Sequence, residues 1–143
     1  MLQQAIDFQT ECDALYELLK SLSDEDFERE TLFTGWTINT VLQHLHYFNY
    51  AAHISLDDED AILKLLGDLR TAAEAGVDMM AHTDKELDGI KGRALLALWH
   101  DYYTNMVPDY EGVDPKKRLK WAGPDMSVLS SITARLMETW PHA

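Results

Sequence analysis

Glu138 and His142 stand four residues apart near the end of the chain, a spacing that lays two side chains one above the other on a helix face, within reach of a common ion. A carboxylate and an imidazole are both donors that a zinc-like divalent cation accepts. The competing use of the carboxylate is a surface ion pair with Arg135, three residues earlier. Two further imidazoles, His44 and His46, fall in a segment whose Ile38, Val41, Leu42, Leu45, Phe48 and Ala52 make one apolar stripe. At about 100° per residue both lie roughly a quarter-turn from the centre of that stripe, on opposite flanks. Spacing therefore leaves each of them open as a metal ligand or as a partly buried hydrogen-bonding residue. His53, His82 and His100 have no partner at ligand spacing. Cys12, the single cysteine, sits within an apolar helical pattern and reads as a small buried hydrophobe rather than a nucleophile.

These residues need helices to position them. Leu2, Ile6, Cys12, Leu15, Leu19 and Leu22 predict a first amphipathic helix over about 2–21. A short turn follows at Ser23–Asp26, and Thr37 can cap a second helix running to about residue 54. Ser55 with Asp58 resembles a capping pair for a third, which ends at Gly76, and a weaker fragment continues to Thr83. Leu95, Leu96, Trp99, Tyr102, Tyr103 and Met106 mark another helix from about 91 to 107, stopped by Pro108. After a loop, Asp125 can cap a final helix carrying Val128, Leu129, Ile132, Leu136 and Trp140. Pro141 removes a backbone donor and is expected to kink or end that helix. Only Thr31-Leu32-Phe33 offers a candidate strand. The expected class is all-α: a single domain over 1–143, built as an up-and-down-type four-helix bundle with short extra helical turns.

Bulk properties narrow the function. A formal net charge of −13 repels a phosphate backbone and disfavours an anionic membrane surface, so neither nucleic acid nor membrane is an expected partner. No apolar run approaches the roughly 20 residues that span a bilayer, and the N-terminus lacks a signal-peptide pattern. A cytoplasmic protein acting on a small molecule is the expectation. Lys116, Lys117, Arg118 and Lys120 gather a third of the 12 basic residues in one loop; such a cluster steers a carboxylate or, more commonly, is a solvated loop. Trp36, Phe48, Trp99, Tyr103 and Trp140 read first as core.

Gly35-Trp36-Thr37 followed by Val41-Leu42-Gln43-His44-Leu45 resembles the motif that opens the second helix of the DinB-like metalloproteins, among them the N-terminal domain of mycothiol-dependent maleylpyruvate isomerase. The block from Lys120-Trp121 through Arg135 to His142 is similar to the last-helix block of a metal-binding subgroup of the same proteins. The resemblance implies a DinB-like bundle and selects His44 over His46, with Glu138 and His142 completing the ligand set. Two imidazoles and one carboxylate leave coordination positions open, as in catalytic rather than structural zinc sites. Zinc is the first expectation and nickel the second; iron would suit an oxygenase built on the same donors. The resemblance also implies a low-molecular-weight thiol (mycothiol, glutathione or bacillithiol) or water as the group activated, for transfer, isomerisation or hydrolysis. The alternative is a bundle that binds metal or a small molecule without turnover. The sequence ends one residue after His142, earlier than the resemblance implies, which fits a chain cut from a longer one or an end covered by another element or by the second subunit of a homodimer.

Overall fold

Apolar periodicity near 3.6 residues builds six α-helices among the described residues: α1 (Gln3–Leu19), α2 (Ile38–Ile54), α3 (Glu59–Glu74), α4 (Met79–Glu86), α5 (Gly92–Met106) and α6 (Val128–His142). The structure, a computed structural model, describes residues 2–31, 35–122 and 124–142, the side chains of 140–142 aside. The class is all-α, with one two-stranded sheet, β1 (Arg118–Leu119) and β2 (Met126–Ser127), paired antiparallel. No strand was expected there, because two-residue strands are too short to show alternation. Of the one strand candidate in the sequence, Leu32 and Phe33 lie outside the described residues, while Glu30 and Thr37 on either side form an isolated antiparallel bridge.

α1 packs against both α5 and α6, and α2 packs against the same two, so α1 and α2 occupy opposite corners of the bundle. Phe8, Cys12, Leu42, Leu45, Leu95, Trp99, Tyr103 and Ile132 fill the space between them. α3 and α4 lean on the outer side of α2 and enclose a smaller core of Tyr47, Ala51, Ile62 and Leu65. No helix among the described residues is long and apolar enough to cross a membrane.

Local chemistry sets the helix ends. The Thr37 hydroxyl accepts from the Thr40 N–H at 3.1 Å, and the Asp78 carboxylate accepts from the Ala81 N–H at 2.8 Å. Ser55 does not cap α3. It closes α2 by donating to the Ala52 carbonyl at 2.6 Å, and Asp58, the residue immediately before α3, accepts from the Ala61 N–H at 3.0 Å. Asp125 does not cap α6 either. Its carboxylate is taken by Lys120 Nζ at 3.1 Å, while Ser127 Oγ accepts from the Ser130 N–H at 3.1 Å. The helix does not end at Pro141, for α6 continues through it to His142. In a last turn, proline forfeits one hydrogen bond and its fixed φ is already helical. Gly92 opens α5 at φ +62°, where a Cβ would meet Asp24 Oδ1 at 2.4 Å, so only glycine fits.

The buried face of α6 is turned relative to the apolar stripe of its sequence. Val128, Ser131, Ile132, Arg135 and Thr139 are buried, whereas Leu129 is 37% exposed and Met137 59%. The helix faces α1 and α2 together, and that wedge takes Ser131, Arg135 and Thr139 with the apolar residues. Ile132→Ala should therefore lower stability by about 2–5 kcal/mol and Leu129→Ala by less than about 1 kcal/mol in urea denaturation, although both belong to the same stripe. Equal losses would show that the buried face is the one drawn from apolar spacing.

Candidate functional site

His44 stands on the flank of α2 that looks towards α6. Its ring meets the Trp36 indole edge-on at 5.4 Å between centroids and the tilted Phe48 ring at 5.0 Å, which holds it on the seam between the two helices. Nε2 lies 3.3 Å from Glu138 Oε2. That is long for a hydrogen bond, whose usual N···O separation is about 2.9–3.0 Å. It matches the edge of a coordination tetrahedron, because two donors each about 2.0–2.1 Å from a zinc-like ion and about 109° apart stand roughly 3.3–3.4 Å from each other. The two donor atoms thus fit a shared divalent ion. The backbone of His142 lies one turn beyond Glu138 on α6, and its side chain is outside the described residues. No group of three His, Cys, Asp or Glu side chains among the described residues forms a complete metal site.

His46 occupies the other flank and is 5% exposed. Its ring lies edge-on to Tyr102 of α5 at 5.4 Å, and Nδ1 has no hydrogen-bond partner. Burial pushes its pKa down to about 4, so it is neutral near pH 7. The remaining histidines stand apart from Glu138. His53 bridges the Tyr102 hydroxyl and Asp109, each at 2.7 Å, His100 stacks on Tyr16 at 4.1 Å, and His82 packs beside Tyr47. Most of the basic loop is tied down: Lys117 donates to the Leu56 carbonyl at 2.7 Å, Lys120 pairs with Asp125, and Arg118 donates to the Asp125 carbonyl. Trp99 and Tyr103 are core, while the side chain of Trp140 lies outside the described residues.

A cavity of about 330 Å³ opens beside the His44–Glu138 pair, with Ser131 and Arg135 as its other polar walls and Phe48 and Trp121 among its apolar ones. A second recess of about 400 Å³, apolar and formed largely by α3, shares Phe48, Met79 and Trp121 with the first. Arg135 does not make the surface pair with Glu138 that the sequence suggested as an alternative. It is 5% exposed and lies 5.9 Å over the Phe48 ring. Its burial had a legible signal, since Val128, Ile132, Arg135 and Thr139 fall at helical spacing on one face. Trp121 and Met79 reach the cavity from a loop and from α4, and no periodicity announces that.

The sequence model of the family described as mycothiol maleylpyruvate isomerase N-terminal domain matches residues 8–143, and the chain belongs to that family. Two uncharacterised proteins of Mycobacterium tuberculosis, from the strains CDC 1551 / Oshkosh and H37Rv, are each 31% identical to it over 137 residues. The match covers 95% of this chain and 52% of each relative, so the chain spans about half the length of the curated relatives it matches. No solved structure matches the chain significantly.

Cys12 lies buried on α1 against α6, and burial pushes its thiol well above the usual range despite a hydrogen bond with Thr139. Labelling by a chromogenic disulfide reagent at pH 8 should be at least ~100-fold slower in native protein than in urea, because it needs an opening of the bundle. Rapid stoichiometric labelling of the native protein would place the thiol at the surface instead.

Proposed function

We propose that this member of the mycothiol maleylpyruvate isomerase N-terminal domain family binds one divalent metal ion, zinc before nickel, through His44, Glu138 and His142. On this reading the ion activates a low-molecular-weight thiol or water against a small organic substrate. The observation that carries it is the 3.3 Å approach of His44 Nε2 to Glu138 Oε2 across two helices 94 residues apart in sequence. When bound with coordination positions open, such an ion lowers the pKa of water towards about 7 and deprotonates a thiol. The chain's own residues supply the rest. Trp36 and Phe48 fix the plane of the His44 ring, the Glu138 side chain, 42% exposed, lines the cavity, and the cavity holds a small molecule against Phe48 and Trp121. The thiol is mycothiol in an organism that makes it and glutathione or bacillithiol otherwise, and a reducing cytoplasm keeps it available.

Elemental analysis of protein purified without chelator should find one zinc or nickel ion per chain. His44→Ala, Glu138→Ala and His142→Ala should each weaken metal binding by more than ~100-fold, beyond the roughly 10–100-fold of an outer-shell change. His46→Ala should keep the metal. Helical circular dichroism should persist in all four. Metal lost from the His46 variant and kept in the His44 variant would transfer the site to the other flank; wild type free of metal would sink the reading. Calorimetry of the metal-loaded protein with each of the three thiols then separates the activities: heat with one thiol, lost in His44→Ala, marks transfer or isomerisation, and none with any leaves hydrolysis or binding without turnover.

A further inference from the structure

The apolar recess on α3 is a trough with walls of its own, and the reading above gives it no task. Leu66, Leu69, Arg70 and Ala73 stand at i, i+3, i+4 and i+7 on α3, so one continuous helix face lines it. A face of that kind normally packs on protein. The N-terminal half of α3 does so fully, through the buried Ile62 and Leu65 of the second core, whereas this C-terminal half looks across the trough to Met79 and Trp121. The volume of about 400 Å³ is that of a small-molecule site, since ligand pockets run from about 300 to 1,000 Å³. Its edge leaves Val77 and Met79 with 41% and 40% of their surface in water, an exposure that marks apolar surface with something to bind. The polar walls restrict what that is. Arg70 and His82 are the ionisable ones. His82 is 7% exposed, its ring stands edge-on to Tyr47, and its Nε2 is closed off from solvent, so the imidazole is shut to a ligand. Arg70 is exposed at the rim and makes no hydrogen bond or ion pair among the described residues, the carboxylate of nearby Asp68 being taken by Lys64 at 2.9 Å. An apolar floor below a free cation complements a molecule with an apolar body and an anionic head.

We infer that this trough binds a single-chain amphiphile, its hydrocarbon chain lying along α3 between Leu69, Met79 and Trp121 and its carboxylate head at Arg70. The unbranched thioether of Met79 moulds to an irregular chain. Affinity comes from the methylenes removed from water and orientation from the arginine. The ligand is a free monomer and not a membrane surface, because a net charge of −13 is repelled by an anionic leaflet. The inference does not depend on the metal reading, since neither His44 nor Glu138 lines the trough.

Calorimetric titration of the chelator-treated full chain with hexanoate, octanoate and decanoate tests it. Affinity should rise about 4-fold for each added methylene. Decyltrimethylammonium, a chain of the same length with a cationic head, should bind about 2–5-fold more weakly than decanoate in physiological salt, the range of an exposed charge pair. Arg70→Glu should reverse that order and keep the dependence on chain length. Ala73→Trp, at an exposed position, should fill the trough and weaken decanoate binding at least ~10-fold, with helical circular dichroism unchanged. His44→Ala should bind decanoate as wild type does. Equal affinity across the series, binding that survives Ala73→Trp, or binding lost in His44→Ala would overturn the inference, the last by placing the chain in the metal cavity. Uptake from phosphatidylglycerol vesicles without binding of free decanoate would overturn it in favour of a membrane surface. Decanoate binding in a protein that never retains metal refutes the metal reading alone, and metal retention without decanoate binding refutes this inference alone.

Discussion

α2 is the helix that joins the two cores, packing against α3, α4, α5 and α6. Its residues Val41, Leu42 and Leu45 belong to the bundle core, while Tyr47 and Ala51 belong to the second core under α3 and α4. The polar side chains on its buried faces must be satisfied within the protein or left at a cost. Asn39 is satisfied by Glu28 at 2.9 Å and by the Gly92 N–H at 2.7 Å. Gln43 donates to Asp84 and to the Ile90 carbonyl, both at 2.9 Å. These bonds tie the connections before α2 and around α4 to the central helix, and a frame of that kind keeps a ring such as His44 in a fixed direction.

The same enclosure makes two histidines on one helix into different chemical objects. His46 faces α5 and packs beside Tyr102, where burial keeps it neutral. His44 faces the seam with α6, where a carboxylate approaches it and a cavity begins. Sequence position separates them by two residues; the identity of the neighbouring helix separates them by surroundings.

α6 carries the complementary tension. Its wedge against α1 and α2 buries Thr139, which satisfies itself by donating to the Arg135 carbonyl at 2.9 Å, and Arg135, whose Nη1 finds nothing. Stability alone would favour an apolar side chain of similar length at that position.

The all-α class and the extents of α1, α2 and α5 were legible in the amino-acid sequence, because a 3.6-residue apolar repeat is a local property and Thr37 caps its own helix. Resemblance of Gly35–Leu45 and of the last block to known metalloproteins supplied the family. The caps at Asp58 and Ser127 were missed by a few residues, since several side chains nearby were chemically able and backbone geometry chose among them. The opposite-corner placement of α1 and α2 and the arrival of Met79 and Trp121 at the cavity belong to tertiary structure alone. Each depends on which helices become neighbours, and that is settled by packing across the whole chain rather than by any pattern within one segment.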